Sequence, residues 1–188
     1  MIAFLGNFII FLLRFKNYCI RKYQISKLGD YGKNVYIGAD CILTMSNIFI
    51  GNDVYIGQRC IFQSSYGKIY IGDHCMFGPG VNIHGGNHKY NEIGILMKKA
   101  SPKKMGDDGI IRIEPDCWIG ANAIILSNVT IGRGSVIGAG AIVTHDIKPY
   151  SIYVGSSVPK IRRRFSEDEM IQHENILYGS KTDKLEET

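Results

Sequence analysis

The sequence predicts an all-β solenoid, a stack of short strands joined by tight corners, and three observations carry that prediction. Aliphatic residues recur every six positions, most strictly at Ile113, Ile119, Ile125, Ile131, Ile137 and Val143. A second series, small or apolar, sits two positions earlier, at Ile111, Cys117, Ala123, Val129, Ser135 and Ala141. Glycine or a polar residue usually follows the aliphatic, and the chain holds 22 glycines in all. A period of six is neither the 3.6 of a helix nor a bare alternation. It is a strand plus a turn: alternate residues point inward, and the glycine or polar pair makes the corner. Stacking such units buries the aliphatic ladder, because each winding covers its neighbours.

Three segments follow. Residues 1–28 read as an N-terminal helical segment. Their apolar run, from Ile2 to Leu13, is interrupted by Gly6 and Asn7 and closed by Arg14. That run is shorter than the ~20 residues of a spanning helix. Its charges, Arg14, Lys16, Arg21 and Lys22, come after the apolar stretch, the reverse of a signal peptide. Two readings stay open: a helix packed on its own oligomer, or a peripheral membrane contact in which the basic flank meets anionic lipid. Residues 29–165 hold the repeat. It includes Ile37 and Leu43, then Ile50, Ile56 and Phe62, then Ile71, Phe77 and Ile83, with phase slips between the groups. Residues 166–188 open on Ser166 with Glu169 three places on, a capping box. A helix to about Tyr178, a stop at Gly179 and a loose tail are expected.

The bulk numbers exclude several classes. The 188 residues suffice for one domain with a sizeable core. The formal charge of +5 is spread over both ends and the 89–104 segment, which suits several anion contacts rather than a nucleic-acid face. The cysteines, Cys19, Cys41, Cys60, Cys75 and Cys117, form no CxxC pair, so neither a zinc nor a redox motif is expected. A reduced, cytoplasmic protein is the plain reading. Four of the five cysteines fall in the small series, as small buried hydrophobes.

The period breaks at "GPGVNIHGGNHKYNEIG", residues 78–94, and resumes at Ile111. An insertion over residues 84–110 adds nothing to the ladder, so it is expected to shape a site. It carries His84 and His88, then Lys89, Tyr90, Glu92 and further lysines.

The repeats "IGADCI", "IGNDVYIGQRC", "IGDHCMFGPGV" and "IGRGSVIGAGAIV" resemble the hexapeptide repeat of left-handed parallel β-helix acyltransferases. That resemblance implies about five left-handed coils, against the usual crossover hand, and a homotrimer. "GGNHKYNEIG" followed by "IEPDCWIGANAII" is similar to the polysaccharide and xenobiotic O-acetyltransferase branch. It implies acetyl-CoA as acyl donor, no metal, His88 as catalytic base, and Trp118 lining the pantetheine and acceptor site. Gly120, Ala121, Gly138 and Ala139 would flank the pantetheine arm. Thr144 and His145 fall near the nucleotide, with histidine where the family has lysine. Lys160, Arg162 and Arg163 would hold phosphates, although "GSSVPK" replaces the family's "GNPAK". His84, Asn87, Lys89, Tyr90 and Glu92 are the acceptor-side candidates, with Asn82, Asn87 or Glu92 able to orient the imidazole.

The chemistry asks for little more. A neutral imidazole can take a hydroxyl proton as the oxygen attacks a thioester, then return it to the thiolate, for ~10²–10⁴-fold in rate. The expected reaction is O-acetylation of a sugar hydroxyl on a surface polysaccharide or its precursor, at the inner face of the cell membrane. An antibiotic O-acetyltransferase is the alternative. A solenoid carbonic anhydrase would need three zinc-binding histidines, two of them five apart in one loop, whereas His84 and His88 are four apart. A non-catalytic trimeric scaffold would have no reason to keep His88 and Trp118.

Overall fold

The computed structural model describes residues 2–179, and the expected loose tail from residue 180 lies outside them. The strands form three parallel sheets. The first takes Asp30–Tyr31, Ile48–Ile50, Ile69–Ile71, Ile111–Ile113 and Thr130–Ile131. The second takes Tyr36–Ile37, Tyr55–Ile56, Met76–Phe77, Trp118–Ile119, Val136–Ile137 and Ser151–Val154, closed by the antiparallel Lys160–Arg163. The third takes Ile42–Leu43, Ile61–Gln63, Asn82–His84, Ile124–Ile125 and Ile142–Val143. The chain therefore visits the sheets in rotation, and each strand pairs with the one a full winding later.

The six-residue period becomes three inward columns. Ile50, Ile71, Ile113 and Ile131 are paired in register in the first sheet. Ile37, Ile56, Phe77, Ile119, Ile137 and Tyr153 are paired in the second, all at most 1% exposed. Leu43, Phe62, Ile83, Ile125 and Val143 form the third column. Each buried aliphatic side chain of this kind contributes ~1.5–3 kcal/mol.

Corners obey one backbone rule. The residue before each small buried position adopts a left-handed conformation: Asn34, Asp40, Asp53, Arg59, His74, Asp116, Asn122, Asn128 and Tyr150 have φ between 54° and 60°, and Gly80, Gly134 and Gly140 do the same. Asparagine, aspartate and glycine tolerate that region best. Other glycines serve close approach. A Cβ on Gly120 would stand 2.5 Å from the Ala139 nitrogen of the next winding.

The small series does more than fill space. The thiols of Cys41, Cys60, Cys75 and Cys117 donate to carbonyls of Gly57, Gly78, Glu114 and Gly132, one winding on, at 3.2–3.3 Å. Ser135 makes the equivalent bond to the Lys148 carbonyl at 3.0 Å. The thiols of Cys60 and Cys117 are pushed well above the ordinary value by the neighbouring thiol of the adjacent winding and by burial, so both stay protonated.

Helix α1 spans Ile2–Ser26 without a break. Gly6 and Asn7, which split the apolar run, do not split the helix; one glycine costs ~1 kcal/mol, spread over a 25-residue helix. The 25 residues are long enough to cross a bilayer. A span would set Arg14 and Lys16 near the midplane, however, at about 2.5–3.5 kcal/mol each. Only the end of α1 is docked. The Arg21 Nε donates to the Ile37 carbonyl at 2.9 Å, its guanidinium lies 4.1 Å from the Tyr36 ring centre, and Gln24 donates to the Cys41 carbonyl at 2.9 Å. Ile25 and Leu28 close the open end of the core. Helix α2, Glu167–Tyr178, opens on the Ser166–Glu169 capping box and meets Gly179 at its end. It is tied back by Tyr150 donating to Glu174, and Arg164 pairs with Asp116 nearby.

The corner rule has a direct test. Arg59 is exposed, its side chain makes no hydrogen bond among the described residues, and its φ is 57°. Arg59→Asn should raise stability by about 0.5–1 kcal/mol, because a left-handed residue with an ordinary side chain costs ~1–2 kcal/mol. Denaturant unfolding of the two proteins measures it.

Candidate functional site

The strand Asn82–His84 pairs with Ile61–Gln63 and with Ile124–Ile125, so His84 is aligned with Gln63 at the end of the third sheet. The chain then leaves the winding and returns at Ile111. Both feet of this insertion are held by Ser127. Its hydroxyl donates to the Gly85 carbonyl at 2.8 Å and accepts from the Gly109 amide at 3.0 Å. The Gly85 amide keeps its ladder bond to the Gln63 carbonyl at 2.7 Å.

A buried ion pair supports the loop from beneath. Asp108 is 6% exposed, pairs with Lys103 and accepts from the Tyr66 amide at 3.1 Å. The two glycines before Asn87 lie directly over this floor. A Cβ on Gly85 would overlap the Ser64 side chain, and one on Gly86 would overlap the Asp108 carboxylate. The "HGGNH" glycines are thus required by close approach.

His88 stands exposed between two clefts of about 300 and 430 Å³, which share Gly86, Asn87, His88 and Lys103 in their walls. His84, Thr44 and Tyr66 line the first; Lys89, Tyr90 and Asn128 line the second. The imidazole of His88 makes no hydrogen bond among the described residues, so its nitrogens are free for a ligand. No described residue orients it by a hydrogen bond. Asn82 donates to the Gly80 carbonyl at 2.7 Å, and Glu92 accepts from the Ser101 amide at 3.0 Å and from its hydroxyl. Those Ser101 bonds, side chain first, hold the Glu92 carboxyl below the usual range. Lys89 donates to Ser101 at 3.3 Å and lies 3.8 Å from Asp107. Lys89 and Glu92 therefore brace the insertion. Asn87 and Tyr90 remain exposed.

The other candidates lie elsewhere on the chain. Trp118 is 53% exposed on the outer face of the second sheet, aligned with Met76 and Val136. Gly120–Ala121 and Gly138–Ala139 stack at the corner leading to the third sheet, where the Gly140 amide donates to the Ala121 carbonyl at 2.9 Å. Thr144 and His145 follow Val143 at the edge that also carries His84, and their side chains stand 3.3 Å apart. Lys160 and Arg162 are exposed on the terminal strand, while Arg163 pairs with Glu167 at 3.0 Å. One chain brings His84, Asn87, His88, Lys89 and Tyr90 together. It does not bring Trp118 to them. Among the described residues no cluster of three His, Cys, Asp or Glu side chains could hold a metal.

The sequence reading missed Ser127, Asp108 and Lys103. Their signal was positional: Gly109 and Ile110 precede the strand where the period resumes, and Ser127 sits in the corner one winding on.

Residues 110–145 match the family described as bacterial transferase hexapeptide (six repeats). A galactoside O-acetyltransferase of Lactococcus lactis is 30% identical over 82% of this chain and 70% of its own length. A chloramphenicol acetyltransferase of Escherichia coli is 35% identical over 55% of each chain. The chain spans about half the length of the first curated relatives it matches. Among solved structures, a hexapeptide-repeat acetyltransferase of Vibrio cholerae, complexed with acetyl-CoA, is 26% identical with a TM-score of 0.66, covering 76% of this chain and 75% of its own.

Asp108→Ala would leave the Lys103 ammonium and the Tyr66 amide without their acceptor. Removing one partner of a buried pair costs 3–5 kcal/mol, and Lys103 reaches solvent in part, so a loss of about 2–3 kcal/mol is expected in urea unfolding.

Proposed function

Because the chain belongs to the bacterial hexapeptide-repeat transferase family, we propose that it is an acetyl-CoA-dependent O-acetyltransferase acting on a sugar hydroxyl, with His88 as general base. The observation that carries this reading is the His88 imidazole, unbonded among the described residues and open to a cleft on each side. The likeness to a galactoside O-acetyltransferase and to an acetyl-CoA complex supports the acceptor and donor. It also supports a left-handed winding of about five coils.

The unprotonated imidazole nitrogen takes the hydroxyl proton as the sugar oxygen attacks the thioester carbonyl. The tetrahedral centre collapses with loss of the carbon–sulfur bond. The imidazolium then returns the proton to the thiolate, leaving an acetyl ester and free coenzyme A. Acetyl-CoA supplies only the electrophilic carbonyl and the leaving group. The polar walls, with Asn87, Lys89 and Tyr90, suit a hydroxylated acceptor. A surface polysaccharide or its precursor, acetylated on the cytoplasmic side, is the proposed acceptor, and acetyl-CoA and the reduced cysteines belong to that compartment.

A homotrimer completes the site. Tyr36, Tyr55, Met76, Trp118, Val136 and Ile152 form one registered column on the outer face of the second sheet. Tyr55, Met76 and Trp118 are each about half exposed, an apolar stripe suited to a second copy. Such packing would bring Trp118 and the Gly120–Ala121 corner of one copy toward the His88 cleft of the next, with Lys160 and Arg162 left for phosphates.

His88→Ala should lower kcat ~10²–10⁴-fold with its thermal melt unchanged, read by thiol release from acetyl-CoA with oligosaccharide repeat units as acceptor. Turnover confined to chloramphenicol would overturn the sugar assignment, and full activity in the variant would overturn the base. Met76→Glu should shift the mass in light scattering from three chains to one and abolish thiol release.

A further inference from the structure

We propose that α1 is an end-on membrane plug: residues 2–13 enter the acyl region of one leaflet, and Arg14, Lys16 and Lys22 form a collar on anionic lipid headgroups. This does not depend on the acyl-transfer reading.

Four observations carry it. Apart from Gly6 and Asn7, the first half of α1 presents large apolar side chains around the helix. Phe4, Leu5, Phe8, Ile9, Ile10, Phe11, Leu12 and Leu13 are 47–79% exposed, and successive residues point about 100° apart. A helix apolar all round is built to be surrounded. Packing against a second copy would cover one stripe and leave the rest in water; lipid covers every side.

The charge is ordered along the axis. Arg14, Lys16 and Lys22 are all exposed and follow the apolar half, and the chain has no acidic residue before Asp30. At 1.5 Å per residue, residues 2–13 reach about 18 Å, close to half of a ~30 Å hydrocarbon layer. The collar then falls at the headgroups, whereas a full span would drag Arg14 and Lys16 to the midplane. Finally, the helix is fixed by its other end: Arg21, Gln24, Ile25 and Leu28 seat it on the first winding, which leaves the first half without a partner among the described residues.

The cysteines supply the reporter. Cys19 is the only exposed one of the five, so an environment-sensitive thiol dye labels the full chain there, and Leu5→Cys or Leu12→Cys in a Cys19→Ser background moves the label. The expected result is flotation with vesicles of equal parts phosphatidylcholine and phosphatidylglycerol, and weaker flotation with phosphatidylcholine alone. Lipid-borne quenchers should place the label deepest at position 5, shallower at 12 and shallowest at 19. Arg14→Gln and Lys16→Gln should each weaken flotation about fivefold. Phe8→Asp with Phe11→Asp should abolish it without changing the thermal melt, since neither ring touches the solenoid. Absence of flotation overturns the proposal. So does a label deepest at position 12 and shallow at 5, which would mean a span. An unquenched label at 5 together with a smaller assembly for the Phe8/Phe11 variant would mean a contact between copies, and would overturn it too.

Discussion

The structure depends on how closely successive windings approach. Parallel neighbours stand about 4.8 Å apart, and at the corners even a methyl group on Gly120 would press on the next backbone. The chain turns there through a left-handed residue followed by a small or apolar one. Asp40–Cys41, Asn122–Ala123 and Gly140–Ala141 are three solutions of the same constraint. At some corners the small residue also meets a carbonyl of the next winding. Cysteine and serine are favoured at several corners since each is small and still donates to that carbonyl.

A stack so tightly indexed accepts an insertion only if both ends return to register. Ser127 meets that condition with one oxygen, donating to Gly85 and accepting from Gly109 across the gap. Asp108 then fixes the underside. The loop that presents His88 is therefore anchored on rigid elements at both feet while its tip stays open. Such a mounting keeps an exposed loop in register with the stack beneath it. The imidazole has no hydrogen-bonding partner among the described residues, so both of its nitrogens face the clefts.

How much of this was legible follows from where the constraints are local. The inward columns, the cysteine positions and the Ser166 cap each depend on residues within six places, so the sequence displays them. The break at residue 84 was legible for the same reason. Ser127 and Asp108 were not, because the bonds that tie them to Gly85 and Tyr66 reach 42 residues along the chain, and nothing in "ILSNV" or "GDDG" marks a long-range bond. The helical segment at the N-terminus was legible too, and α1 runs through Gly6–Asn7 unbroken. Lys89 and Glu92 also brace their own loop through Ser101, a role that their residue types do not announce.

The two ends of the chain complete the same logic. A stack of windings leaves its core open at top and bottom, and each opening must be closed. Leu28 and Ile25 close one, α2 packs at the other through Tyr150 and Glu174. The last turns of α1 are thus accounted for by the solenoid, and the first turns are not. Because the winding that carries His84 is two above the one that holds α1, the cleft stands roughly 10 Å along the stack from that seat. Were α1 to insert as proposed, a sugar acceptor carried on a lipid would be delivered to the membrane that holds the enzyme, which is the acceptor class the proposed activity calls for.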